Sequence, residues 1–261
     1  MASPSLAGKA AVITGSSRGI GRAIALKLAG EGALCILTGR DREALAAVAA
    51  EIESQGGQAH WTALDLRDAS AAPKLIGFAL AQAGRIDIVV NNAGATKRAE
   101  FLELSEQDWT DGFALKFFGA VRVTREAWPH LQSTGGAVLN IAGAGGRTPG
   151  SSFAVGGSVN AAMLALTKSL ADTGLQDGIQ VNAINPGSVR TGRLDNRLAD
   201  LAARRHIEPA AAERLLVDSE KIIRVGEPHE IADLVCFIVG PSGRFLHGAL
   251  IDMDGGATKT I

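Results

Sequence analysis

The sequence predicts an α/β fold, a parallel sheet doubly wound by helices on both faces. Two observations carry this. Short apolar runs alternate strictly with amphipathic stretches from Lys9 to Met253, and such βα alternation folds as a doubly wound sheet. The first run leads into a glycine-rich turn and then a helix, so a flexible backbone cradle faces a helix N-terminus.

Taken in order, Lys9–Thr14 is an apolar run of the kind buried on both faces. The glycines of Gly15-Ser16-Ser17-Arg18-Gly19-Ile20-Gly21 allow a tight turn and close ligand approach, and Arg22–Leu28 begins a helix. A diphosphate is the natural guest of that arrangement. Leu34–Thr38 is the second strand, and Asp41 is placed to cap the helix Asp41–Ser54. Gln58–Leu64 and Ala69–Ala83 are the third strand and helix, and Ile86–Asn91 is the fourth strand. Ser105 caps one long helix over about Glu106–Leu131. Gly136–Ala142 is strand five, Phe153–Thr173 helix five, and Ile179–Asn185 strand six, stopped by Pro186-Gly187. Val189–Ile222 is a polar, arginine-rich excursion with helical pieces, followed by a last helix, Pro228–Val239, and a last strand, Ala249–Met253. Ligands of such sheets bind beyond the carboxyl ends of the strands. The excursion follows strand six and so reads as a substrate lid at about 189–222.

Composition narrows the function. The 261 residues are 46% apolar and carry net charge −1, with no linker or repeat, and read as one domain spanning 1–261. Evenly mixed charge argues against nucleic acid or a polybasic membrane surface. Met1–Lys9 has no signal-peptide pattern, and no run is long enough to span a bilayer, so the expectation is no membrane and a cytoplasmic protein. Cys35 and Cys236 lie in apolar runs, and the five histidines show no metal-ligand spacing. There is no tyrosine.

Thr14-Gly15-Ser16-Ser17-Arg18-Gly19-Ile20-Gly21, Asn91-Asn92-Ala93-Gly94, Asn185-Pro186-Gly187 and Asp254-Gly255-Gly256 occur in that order. With these motifs the chain resembles the short-chain dehydrogenase/reductase family over essentially its whole length. The resemblance implies a Rossmann-like sheet of seven strands, a nicotinamide dinucleotide, a small-molecule substrate, and a homotetramer or homodimer packed through the two long middle helices. It also assigns the cofactor residues. Gly15, Ser17, Gly19, Ile20 and Gly21 match the phosphate loop. Asp65, with Leu66 beside it, matches the acid that meets the adenine amine. Asn91, Ala93 and Gly94 match the segment beside the adenosine ribose, and Asn91 also ties strands together. Pro186, Gly187, Val189 and Thr191 match the segment that holds the carboxamide. Strand two ends Thr38-Gly39-Arg40, without the acid that would accept bonds from both ribose hydroxyls. Arg40 and Arg18 suit a 2′-phosphate, which favours NADP(H). NAD(H) is the alternative if both arginines are merely solvated.

The family's four catalytic positions are where the resemblance breaks. Aligned through Ala161–Ala171 and through Asn140-Ile141-Ala142-Gly143, Gly156 stands at the tyrosine position and Asn160 at the lysine position. Gly143 stands at the serine and Lys116 at the asparagine. Lys116 and Asn160 look like an exchange of amine and amide between two facing helices. If so, burial would lower the Lys116 pKa and could make it a proton donor; the plainer reading is that it fills space. Gly143 and Gly156, with Gly145, Gly146, Gly150 and Gly157, imply a roomy, polar-poor site. Arg190, Arg193, Arg197, Arg204 and Arg205 on the lid suit a carboxylate or phosphate, or else a solvated face paired with Asp195, Asp200 and Glu208. Three functions follow: an NADP(H)-dependent oxidoreductase for a carbonyl/alcohol pair with an altered acid, a silent NADP(H)-binding sensor or scaffold, or an enzyme of non-redox chemistry.

Overall fold

A computed structural model describes residues 5–260. The reading of Met1–Lys9 falls partly on Met1–Pro4, outside the described residues. Seven strands form one sheet: β1 (Ala10–Thr14), β2 (Leu34–Gly39), β3 (Gln58–Ala63), β4 (Ile88–Asn91), β5 (Ala137–Ile141), β6 (Gln180–Pro186) and β7 (Leu250–Met253). All neighbours pair in parallel, in the order β3-β2-β1-β4-β5-β6-β7. This is the Rossmann-like, doubly wound architecture expected. The order reverses between β1 and β4, where a crevice opens at the carboxyl edge.

Alternation within the strands sends side chains to two cores. Ala11 and Ile13 of β1, Cys35 and Leu37 of β2, and Val90 of β4 pack with α1 (Gly19–Gly30), α2 (Arg42–Ser54) and α9 (Pro228–Val239). Val12, Ile36, Val89 and Val138 face the other way, onto α3 (Ala71–Ala83) and α5 (Gly119–Thr134). Both faces of the strands are covered, which is why they read as continuous apolar runs rather than alternating ones. Asp41 caps α2 as expected, its carboxylate accepting from Ala44 N at 3.1 Å.

Several boundaries differ from the sequence reading, each for a local reason. β4 begins at Ile88 rather than Ile86, because the Asp87 carboxylate accepts from Ala10 N at 2.9 Å, with Lys9 and Arg85 paired to it. α1 begins at Gly19, which keeps a left-handed φ of +56°, so Gly21 at the end of the turn is already within the helix. The long helix is not continuous. α4 (Glu106–Gly112), capped by a reciprocal Ser105–Asp108 pair, passes into a π-wound segment at Phe113–Phe118 and then into α5. In that segment Phe113, Phe117 and Phe118 pack edge to face, with centroids 6.1 and 5.4 Å apart. After α6 (Ala154–Asp177), the excursion folds as α7 (Gly192–Arg205) and α8 (Pro209–Glu220). These two share their own apolar contact through Leu194, Leu198, Ala212 and Leu216. Among the described residues no helix is long and apolar enough to cross a membrane.

Candidate active site

The glycine turn after β1 is locked to the end of β4. Thr14 Oγ1 accepts from Asn92 N and Ala93 N, both at 3.0 Å, and Asn92 Nδ2 donates to Thr14 O and Gly15 O at 3.0 and 3.1 Å. The packing leaves no room for side chains. A Cβ on Gly15, whose φ is +65°, would lie 2.8 Å from Ala93 Cα, and one on Gly21 would lie 2.2 Å from Gly15 O. α1 then starts at its N-cap Arg18 with no side-chain cap and no acid in the first turn. Its leading amides are therefore open donors for an anion. Thr191 closes over this turn, 3.2 Å from a Cβ built on Gly19. On the far side Gly187 N donates to Met253 O, and Gly187 packs against Asp254 too closely for a Cβ. These cradles fit a dinucleotide diphosphate and its flanking groups.

The other residues expected to meet the cofactor have the following surroundings. Asp65 is held in a two-pronged pair with Arg67, which pulls its carboxyl below the usual range, with Arg40 adding to the effect. The Leu66 side chain is buried and packs beneath Gly119, so only its backbone can face a ligand. Val189 and Ile20 likewise turn their side chains to the core. Asn91 ties strands as expected: its Nδ2 donates to Thr124 and to Asn140 Oδ1 at 2.9 Å, while its buried Oδ1 has no partner among the described residues. Arg40 is exposed and lines a cleft of about 320 Å³ with Arg67 and Lys97. Ser17 Oγ lies 3.5 Å from a Cβ built on Gly39, which brings the phosphate turn beside the Arg40 strand end.

Lys116 and Asn160 do face each other. Lys116 Nζ donates to Asn160 Oδ1 at 2.7 Å and to the carbonyl of Ala142 at the end of β5. Burial, with Arg193 nearby, draws the Lys116 pKa down to about 7. Its stem lies on Gly94, where a Cβ would be 2.9 Å from Lys116 Cδ. Asn160 is buried and covers Gly143, whose φ is +143°; a Cβ there would sit 2.8 Å from Asn160 Nδ2.

The roomy pocket expected at Gly156 is not there. The Phe153 ring occupies that space, 2.1 Å from where a Gly156 Cβ would be and 3.0 Å from one on Gly145. Arg98 lies over the ring, its guanidinium carbon 3.9 Å from the centroid. A backbone bond from Ala99 N to Ser152 O at 3.2 Å brings the two segments together. Neither Phe153 nor Arg98 stood out in the sequence; the only signal was the missing side chain at Gly156.

Two of the excursion's arginines have carboxylate partners. Arg190 pairs with Glu213 and Glu227, and Arg197 with Glu220. Asp195, Asp200 and Glu208, the partners expected, form no ion pairs among the described residues. Arg193 instead reaches back to the site, donating to Gly94 O at 2.7 Å.

The short chain dehydrogenase family profile matches residues 9–202. The chain belongs to that family. A Mycobacterium tuberculosis (strain CDC 1551 / Oshkosh) protein, named only as an uncharacterized oxidoreductase, is 38% identical over 252 residues, covering 96% of this chain and 92% of that one. L-sorbose reductase from Gluconobacter frateurii, solved with NADPH and L-sorbose, superposes with a TM-score of 0.95 at 29% identity over 100% of both chains. A 3-oxoacyl (acyl-carrier-protein) reductase from Agrobacterium tumefaciens C58 with NADP bound gives a TM-score of 0.89 at 32% identity, over 97% of this chain and 96% of that one.

Proposed function

We propose that this short-chain dehydrogenase family member is an NADP(H)-dependent oxidoreductase for a carbonyl/alcohol pair, with Lys116 in the role of the absent tyrosine. The observation that carries this reading is the Lys116 ammonium, held by Ala142 O and Asn160 Oδ1 with its pKa near 7. An ammonium has three N–H donors and a neutral amine two. Two fixed acceptors therefore hold the neutral amine fully and leave the third position for a proton in transit. When bound, the dinucleotide supplies or takes the hydride. Lys116 gives its proton at the substrate oxygen in reduction, or accepts it there in oxidation. Asn160 keeps the amine oriented in both states and is itself seated by Gly143. Arg18 and Arg40, with no carboxylate partner among the described residues, support a 2′-phosphate. The NADPH and NADP bound by solved relatives support the same preference. α7 and α8 act as the lid, through Thr191 and Arg193. Exposed Phe118 and Leu175, beside α5 and on α6, fit packing of two copies through these helices.

A second reading is a silent NADP(H)-binding sensor or scaffold, favoured by the Phe153 ring at Gly156. One experiment separates them. NADPH and NADH are titrated by fluorescence, then nicotinamide absorbance is followed with ketones, aldehydes and oxoacyl thioesters from pH 5 to 9. We expect tighter NADPH binding, lost on Arg40→Asp, and reduction that falls above pH about 7 as Lys116 deprotonates. Tight binding with no turnover anywhere in the panel would favour the sensor.

A further inference from the structure

The charges around the site sort into two layers. Arg190, Arg197 and Arg224, in the lid and just beyond it, each have a carboxylate partner. The cations that border the reacting pocket do not. Among the described residues no carboxylate pairs with Lys116, Arg98 or Arg193. These three lie along one continuous run of contacts. Arg98 covers Phe153, Phe153 abuts Gly145, and Gly145 and Gly143 abut Asn160. Asn160 accepts from Lys116, Lys116 lies on Gly94, and Gly94 O accepts from Arg193.

The guanidinium geometry specifies what this run of contacts takes. The Arg98 guanidinium carbon sits over the Phe153 ring, 3.9 Å from its centroid, a contact that makes no conventional hydrogen bond from its N–H donors. None of those donors has a partner among the described residues. A planar fork with open edges matches a carboxylate or phosphate. Burial is the main cause that lowers Arg98 and Lys116, and neighbouring cations add to it: Arg197 and Arg193 at Arg98, and Arg193 at Lys116. Glu220, the carboxylate that opposes this at Arg98, is occupied by Arg197 and Ser188. A cationic or neutral substrate would leave this repulsion in place, whereas an anion relieves it.

We infer that the substrate carries an anionic group, a carboxylate or phosphate ester, gripped by Arg98 and Arg193 beside the Phe153 ring, with its carbonyl toward Lys116. This rests on the cofactor and proton-donor reading above. The test uses the full-length protein loaded with NADP⁺, after NADPH binding has been measured. Calorimetry then compares acetoacetate with acetoacetamide, benzoylformate with its amide, and dihydroxyacetone phosphate with dihydroxyacetone. The expected result is that at least one anion binds about tenfold or more tighter than its neutral match, the worth of one charge-assisted hydrogen bond. Which arm shows it tells carboxylate from phosphate. Arg98→Met should close that gap and leave NADPH affinity unchanged. Arg98→Lys should recover only part of it, because an ammonium lacks the fork. Equal binding of every pair, or equal weakening of both members in Arg98→Met, would overturn the inference. Failure of NADPH to bind at all would remove the cofactor reading and the inference with it, and is seen before any carbonyl probe is added.

Discussion

At the glycine-turn end of the crevice, contacts are made by main chain. Thr14, Gly15, Gly21 and Ala93 approach so closely that a single added carbon meets backbone. At the reacting end the same crevice is lined by side chains: Lys116 against Asn160, Asn160 over Gly143, Phe153 over Gly156. The two ends differ in what a substitution must disturb. A cradle of backbone tolerates no substitution that leaves the backbone in place. A site of side chains can be rewritten if neighbours change together, and here they fit together. Gly143 leaves room for Asn160, Asn160 accepts from Lys116, and the vacancy at Gly156 is filled by an aromatic ring three residues before it.

The sharpest way to break this comparison is at Lys116. Lys116→Met should reduce turnover by about 10²–10⁴, the usual worth of a general acid, while NADPH affinity holds; an unchanged kcat in steady-state assays would end its catalytic role. Gly21→Val tests the opposite end. Its branched side chain would begin 2.2 Å from Gly15 O, and NADPH binding should weaken by about two orders of magnitude. Fluorescence titration reads this directly, and retention of wild-type affinity would show that the cradle is softer than its packing. Gly156→Ala drives a methyl into the Phe153 ring and should destabilise the fold by about 1–3 kcal/mol in urea. Adding Phe153→Ala should restore much of that loss if the two positions share one space.

The smallest effect is a pH dependence of stability. The Lys116 pKa is lowered to about 7 from 10.5, so between those values the unfolded chain binds one proton more than the folded one. Stability from this group therefore rises with pH across that window, and the full burial penalty applies below it. The melting temperature of wild type relative to Lys116→Met should improve from pH 7 to pH 9. A flat difference would place the amine in solvent.

Much of this was legible in the sequence, and the reasons are specific. Strands buried on both faces announce themselves as Val12-Ile13 or Val89-Val90, and glycines crowded by backbone announce the turn. That Lys116 and Asn160 face each other was readable from the pairing of their two helical segments, although Lys116 lies in a π-wound stretch. What filled the gap at Gly156 was not. Phe153 lies in a short turn before α6, and its ring direction depends on Arg98, brought in by the Ala99–Ser152 backbone bond. The break of the long helix was hidden for a similar reason. The residues of Phe113–Phe118 carry no proline or cap that would mark it.

That π-wound segment sets what can drift in this protein and what cannot. Such winding takes up one residue more than an α-helix over the same stretch. The placement of the Lys116 amine is therefore metered by residue count rather than by residue kind. Exchanges among bulky apolar side chains at Phe113 or Phe117 leave the count alone. Deleting one residue between Phe113 and Lys116 would restore ordinary winding with the flanking helices still in register, and would move Lys116 one place along the segment, a turn of about 100°. Lys116 would then point away from Asn160, with every side chain of the site still present in the sequence.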